Sequence, residues 1–202
     1  MKQFSLIFSS LFFPGLTWKI PSKTKNIFLT FDDGPHPEIT PKVLNILEAY
    51  DAKATFFCVG ENVKKHQETY REIISRGHQT GNHTFHHLKG WSTPAKAYLN
   101  DVVKCSKHLE SMLFRPPYGK ITPLQINTLK KEGFNIVMWS VLTGDYKINA
   151  NQKKLLKNAI KRTQPGSIIV FHDSEKAASN LMYLLPRFLE HFSKKGYLFK
   201  VI

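Results

Sequence analysis

From residue 26 onward, short apolar runs alternate with amphipathic stretches of helical length, with little between them. This alternation limits the fold more than any other feature of the chain. The apolar runs at 27–31 (IFLTF), 54–59 (ATFFCV), 134–139 (FNIVMW) and 167–171 (SIIVF) are too short for helices and apolar on both faces. Such runs suit strands covered on both sides, as in a parallel sheet. Weaker strand candidates lie at 78–82, 113–115 and 197–202. Helical spacing fills the intervals at 40–50, 62–76, 93–112, 122–132, 150–163 and 177–192, with Thr40-Pro41 opening the first and Gly77 and Gly133 closing two others. Repeated βα units predict a parallel sheet wrapped by helices, closed or nearly so. Seven strand candidates are one short of a full eight-stranded barrel.

No repeat, low-complexity tract or linker interrupts residues 26–202, so they read as one domain, preceded by an N-terminal segment 1–25. With 202 residues the chain can bury a full core without staples. Apolar residues at 42% and charged residues at 22% exclude disordered, collagen-like and multi-span membrane classes. Cys58 and Cys105 are too few for a disulfide scaffold and read as buried thiols. Residues 4–13 (FSLIFSSLFF) are too short to span a bilayer. No small-residue cleavage site follows them, so packing on the domain is the favoured reading, with a targeting or membrane-touching segment as the alternative. A net charge of +14 points to an anionic partner.

In parallel α/β barrels, reactive groups sit just beyond strand C-termini. Here those positions read Asp32-Asp33-Gly34-Pro35, then His83-Thr84-Phe85-His86-His87, then Arg115-Pro116-Pro117-Tyr118, then Gly144-Asp145-Tyr146, then His172-Asp173. Titratable residues cluster at five strand ends while the strands stay apolar. That coincidence outweighs any single motif, since Asp-Asp-Gly-Pro alone is an ordinary turn and a lone His often only caps a strand. His83 and His87, four apart, would share a face on a helical turn and present two imidazoles to one metal. Asp32 or Asp33 would complete a two-His, one-carboxylate set with open positions. His86 competes with His87 as a ligand on these grounds. Asp173 reads equally well as a helix N-cap.

Together these residues resemble the polysaccharide deacetylases of the NodB-homology type, carbohydrate esterase family four, over about residues 26–202. The motif TFDDGP stands as residues 30–35, His-Ser/Thr-x-x-His as His83 to His87, Arg-x-Pro-Tyr/Phe as Arg115 to Tyr118, and the apolar strand ending in His as 168–172. The fourth motif, often Asp-x-x-Asp-Trp, departs: Leu142 stands for its first Asp and Tyr146 for its Trp, while Asp145 is kept.

The resemblance implies a distorted, incomplete TIM-like (β/α)7 barrel. It implies a divalent ion, Zn2+ first and Co2+ or Ni2+ as alternatives, held by Asp33, His83 and His87. It makes Asp32 the general base, held by Arg115, and His172 the general acid, oriented by Asp145. A backbone N–H at Tyr118 would steady the oxyanion, and Trp139 and Leu142 would pack on the N-acetyl methyl. The implied reaction is hydrolysis of the N-acetyl group of an N-acetylglucosamine-containing glycan, peptidoglycan- or chitin-like, releasing acetate. The alternatives are a metal-dependent amidase on a small non-sugar amide and a catalytically silent carbohydrate-binding protein. Nucleic acid is not an expected partner, since no recognition motif accompanies the charge. Lys153, Lys154, Lys157, Lys161 and Arg162 share a helix with Leu155, Leu156, Ala159 and Ile160, as on a solvated face. The N-terminus and basic surface leave membrane or cell-wall association open. Cell-envelope association or export stands beside a cytoplasmic location, and oligomeric state is not read from the sequence.

Overall fold

The computed structural model describes residues 15–202, so the reading of residues 4–13 lies outside the described residues. The central strand β1 (Asn26–Asp32) pairs in parallel with β2 (Ala54–Cys58) on one side and β7 (Ile168–His172) on the other. The sheet continues through β3 (Gln79–Asn82), β4 (Leu113–Phe114) and β5 (Asn135–Ile136) beyond β2, and through β6 (Val141–Leu142) beyond β7. A short β8 (Leu198–Phe199) pairs with the start of β1. The helices are α1 (Ile39–Glu48), α2 (Gly60–Lys65), α3 (Gln67–Ser75), α4 (Ala95–Ser106), α5 (Pro123–Lys131), α6 (Gln152–Arg162) and α7 (Ala178–Ser193). This is a curled parallel sheet wrapped by helices, as the alternating pattern predicts, and it is the distorted and incomplete barrel that the resemblance implies.

Strand alternation sorts β1 between two environments. Ile27, Leu29 and Phe31 face the helices, in one buried cluster with Val43, Leu44 and Leu47 of α1 and Leu181, Leu184, Leu185 and Phe188 of α7. Phe31 stacks on Phe56 at 4.9 Å and on Phe171 at 5.7 Å. Phe28 belongs instead to an interior cluster with Phe57, Val137 and Ile168. Thr30 and Asp32 share its parity and so point inward. In the β1–β7 register Asp32 pairs with His172, which brings two titratable groups to the same end of the sheet.

The barrel stays open because β5 and β6, neighbours in sequence, lie at opposite edges of the sheet. Residues 137–140 cross the gap between them. Part of the N-terminal segment lines it: Thr17 N–H donates to the Ile136 carbonyl at 2.9 Å, and Met138 N–H donates to the Thr17 carbonyl at 2.7 Å. Ile20 N–H donates to the Gly166 carbonyl at 2.9 Å. This blunts an edge that would otherwise present unpaired backbone groups.

Several boundaries differ from expectation. The helix expected over 62–76 breaks into α2 and α3 at His66, whose φ of −124° and ψ of 54° are not helical. The helix expected over 93–112 stops at Ser106, where the Asn82 side-chain amide donates to the Val102 carbonyl (2.9 Å) in the last turn. The runs at 134–139 and 197–202 shorten to two-residue strands, and a further two-residue strand, β6, went unread in the sequence. On α6, Leu155 and Ala159 are buried while Lys153, Lys154, Lys157 and Lys161 are exposed, a solvated face as expected. Both cysteines are free and buried. Among the described residues, no helix is long and apolar enough to cross a membrane.

Candidate active site

The loop after β1 carries Asp32 and Asp33 side by side, and the turn sends the two carboxylates different ways. Asp33 takes a φ of 82°, a left-handed conformation that a non-glycine residue adopts at some cost. Its carbonyl is held by the Asn62 side-chain amide at 2.8 Å. Asp173, fully buried, pins the next residue: its Oδ1 accepts Gly34 N–H at 3.1 Å and its Oδ2 accepts the Thr40 hydroxyl at 2.6 Å. A Cβ at Gly34 would lie 2.1 Å from Asp173 Oδ2, so only glycine fits there. Burial pushes the Asp173 carboxyl up to about 7, against the opposing pull of the Thr40 hydrogen bond. The helix N-cap alternative for Asp173 is corrected: α7 begins five residues later, at Ala178, and the carboxylate serves the Asp33 loop.

His83 and His87 converge, but on a loop. Thr84 and His87 have φ values of 63° and 55°, so the expected helical turn is absent. An α4 carboxylate shapes this loop instead. Asp101 Oδ2 accepts the N–H groups of Phe85 (2.8 Å) and His86 (3.0 Å), and Thr84 Oγ1 accepts Leu88 N–H at 3.0 Å. The backbone donors are satisfied outside any helical ladder, which permits the left-handed turns. His86 Nδ1 is bound to Asp101 Oδ1, which takes His86 out of the competition for the central site. His83 Nε2 and His87 Nε2 lie 3.7 and 3.1 Å from Asp33 Oδ1.

His83 Nδ1 lies 2.8 Å from the Arg115 carbonyl, which can only accept, so Nδ1 carries the proton and Nε2 offers a lone pair. Burial lowers the His83 imidazole to about 4, although Asp32 and Asp33 pull the other way, so the ring is neutral near pH 7. Burial alone would raise Asp33, but the His87 hydrogen bond and the charges of His172, His83 and His87 carry it well below the usual carboxylate range. Asp33, His83 and His87 offer one oxygen and two nitrogens, all within 4.8 Å of one another. Deprotonated carboxylate and neutral imidazole are the forms a zinc-like ion takes as ligands, so the donor set fits.

Arg115 is fully buried and spends its guanidinium on the interior. Nη1 donates to Asp32 Oδ1 and Thr30 Oγ1, each at 2.7 Å. Nε donates to the Val137 carbonyl at 3.2 Å and Nη2 to the Met138 carbonyl at 2.8 Å. Its Cζ sits 4.0 Å from the Phe57 ring centroid. Burial lowers its pKa and Asp32 opposes that; a guanidinium remains charged throughout. Arg115 thus fixes Asp32 by its side chain and His83 by its carbonyl.

Across the sheet, Asp145 accepts His172 Nδ1–H at 2.8 Å on Oδ1 and His172 backbone N–H at 2.7 Å on Oδ2. Burial would lower the His172 imidazole, but the Asp145 charge and hydrogen bond, with Asp33 and Asp32 adding, push it up to about 9. Tyr146 packs edge-on against the His172 ring at 5.1 Å. Tyr118 has a φ of 60° and rests its ring edge-on against His87 at 4.7 Å. Trp139 is partly buried, its ring centroid 5.8 Å from Arg115 Cζ. Leu142 is partly buried on β6, opposite Val170.

Among the described residues, four of the six non-glycine residues with positive φ (Asp33, Thr84, His87 and Tyr118) belong to this one constellation, a concentration of backbone strain typical of working sites. A cavity of about 820 Å³ opens elsewhere, lined by residues such as Tyr70, His78, His108 and Met112 near the starts of β3 and β4. None of the sequence-predicted residues lines it, so converging side chains mark the chemistry here, and cavity size does not. Asp101 went unread in the sequence. Its signal was the one charged side chain among the buried positions Tyr98, Asp101, Val102 and Cys105 of a helical stripe.

Residues 19–137 match the family model described as polysaccharide deacetylase. The chain is 33% identical over 194 residues to a peptidoglycan-N-acetylglucosamine deacetylase of Bacillus cereus, covering 93% of this chain and 91% of that protein. It is 35% identical over 166 residues to a chitooligosaccharide deacetylase of Azorhizobium caulinodans, covering 79% of each. Among solved structures, a peptidoglycan N-acetylglucosamine deacetylase crystallised with 4-naphthalen-1-yl-N-oxidanyl-benzamide matches with a TM-score of 0.89 at 30% identity. The match covers all of this chain and 95% of that one.

Proposed function

Since this chain belongs to the polysaccharide deacetylase family, a hydrolase family that cleaves carbon–nitrogen bonds, we propose that it removes the N-acetyl group from N-acetylglucosamine units of a peptidoglycan- or chitin-like glycan with the help of a divalent metal. The observation that carries this reading is the division of labour around one point. Three ligand atoms converge at Asp33, His83 and His87, an arginine-anchored carboxylate stands beside them, and a carboxylate-anchored imidazolium stands opposite.

A bound divalent ion, Zn2+ or alternatively Co2+ or Ni2+, would supply a more acidic water and a polarised amide carbonyl. Asp33, His83 and His87 would hold it. Asp32 is the base. Its Oδ1 is engaged by Arg115, so Oδ2 takes the proton from the attacking water. The Tyr118 N–H stabilises the negative charge that develops on the amide oxygen. His172 is the acid. Asp145 holds Nδ1, so the proton delivered to the departing amine comes from Nε2. Without that proton the amine is a poor leaving group. Trp139 and Leu142 flank the acetyl methyl. The products are acetate and the free amino sugar.

The test is acetate release from N-acetylglucosamine oligomers and peptidoglycan fragments, with small non-sugar amides for comparison. Asp32→Asn should abolish release and keep metal content; His83→Ala should lose both. Chelation should silence the wild type and zinc should restore it. Full activity in either variant would remove that residue from its role. Preferred turnover of small amides would favour the amidase reading.

A further inference from the structure

Trp91 is 63% exposed, among the largest apolar exposures of the described residues, and Tyr118 is 61% exposed. The two belong to loops that are tied together. Gly90 N–H donates to the Lys120 carbonyl at 3.0 Å. The Gln125 side-chain amide donates to the carbonyls of Gly90 and Thr93, each at 2.9 Å. A Cβ at Gly90 would lie 2.3 Å from the Lys120 carbonyl oxygen, so the contact depends on glycine. The Trp91 indole is itself held: Nε1–H donates to the Ile121 carbonyl at 3.2 Å, and the Lys120 ammonium sits 3.7 Å from the ring. Lys120 thus occupies one side of an aromatic plane that is fixed by a hydrogen bond and still largely exposed.

Its position tells what would cover it. Trp91 lies four residues after His87, and Lys120 lies two after Tyr118, whose ring touches His87. A polymer threaded past the metal ligands would pass over this ledge. The ledge is also cationic: residues 84–96 and 116–125 contain Lys89, Lys96 and Lys120 and no Asp or Glu. The flat, apolar face of a pyranose suits an indole, and an ammonium at the ring suits a carboxylate carried by that sugar.

Building on the deacetylase reading, we propose that Trp91 and Lys120 form a sugar subsite next to the reacting unit, selecting a pyranose that bears a carboxylate. Such a sugar occurs in a peptidoglycan-type strand and is absent from neutral chitin. The net charge of the chain then has a local use at this ledge.

The experiment compares a neutral N-acetylglucosamine tetramer with a carboxylate-bearing peptidoglycan tetrasaccharide, by acetate release and by isothermal titration. Trp91→Ala should raise KM about tenfold on both, and Trp91→Phe should restore most of that loss. Lys120→Gln should weaken only the carboxylate-bearing glycan, by about threefold, and remove the salt dependence of its binding. A KM for Trp91→Ala within twofold of wild type would overturn the subsite. Equal losses on both glycans for Lys120→Gln would overturn its selectivity. Binding that depends on Trp91 without acetate release from the wild type would uphold the subsite and refute the deacetylase reading.

Discussion

Replacing Asp145 with Asn tests the acid–base assignment most sharply, because the structure gives Asp145 two bonds to one residue. Both carboxylate oxygens serve His172, one the ring and one the backbone N–H. An asparagine keeps a single oxygen and brings no charge. Without that charge the strongest upward pull is gone while burial still pulls down, so the imidazole should fall from about 9 toward its ordinary value of 6.5; a full fall to that value sets the scale of the effect. That difference corresponds to roughly 3 kcal/mol in favour of the imidazolium. At pH 8 the protonated fraction falls from about nine-tenths to about three-hundredths, so the rate should drop about thirtyfold from protonation alone. At pH 6 the same arithmetic gives less than a twofold loss. The assay is the pH profile of kcat/KM for acetate release, with the His172 ring titration followed by NMR. The alkaline limb should move from about pH 9 toward 6.5. Stability should follow with a definite sign. A histidine whose folded pKa is raised contributes stability below its unfolded value of 6.5 and loses it as pH rises through about 9. The variant should therefore fall furthest below wild type in urea at pH 6 and approach it at pH 10. An unmoved alkaline limb, or an equal rate loss at every pH, would refute the assignment of His172 as the proton donor.

Two other substitutions probe the supports of the site. Gly34→Ala should drive a methyl into the Asp173 carboxylate and displace the Asp33 loop; equilibrium dialysis should show weaker zinc binding, and denaturation a loss of about 1–3 kcal/mol. Arg115→Met should leave the Asp32 carboxylate buried without its cation and lower stability by about 3–5 kcal/mol in urea, with activity lost even where the fold survives.

The parts of this fold that depend on local pattern were legible in the sequence. β1, β2 and β7 are continuous apolar runs with polar residues just past their ends, α1 opens near Thr40-Pro41, and Gly77 and Gly133 close α3 and α5. Elements fixed by distant partners were not legible. β6 is two residues long and exists because Val141 and Leu142 find Ile169 and Val170 on β7. At the end of α4 the Asn82 amide meets the Val102 carbonyl and the Ser106 hydroxyl, 20 and 24 residues away in sequence. The site residues were legible as types at strand ends, because titratable groups recur at five of them, which no single turn or cap explains. Their geometry was not. The spacing of His83 and His87 suggested a helical turn, and the loop that replaces it depends on Asp101, which a one-dimensional reading takes for an ordinary helix residue. The separate partners of Asp32 and Asp33 likewise go with a left-handed backbone at Asp33 that adjacent identical residues do not reveal.

The unclosed side of the barrel has a consequence for how this enzyme can change. In a fully hydrogen-bonded cylinder the carbonyls of Val137 and Met138 would be claimed by a neighbouring strand. Here a single guanidinium claims them, and the same group grips Asp32. Arg115 is a keystone: lifting it out both disarms the chemistry and loosens the wall. Asp33, His83 and His87 carry no comparable share of the architecture. A lineage that abandons the reaction but keeps the scaffold is therefore expected to shed Asp33, His83 and His87 first and to retain Arg115, with Asp32 beside it, long after the reaction has gone.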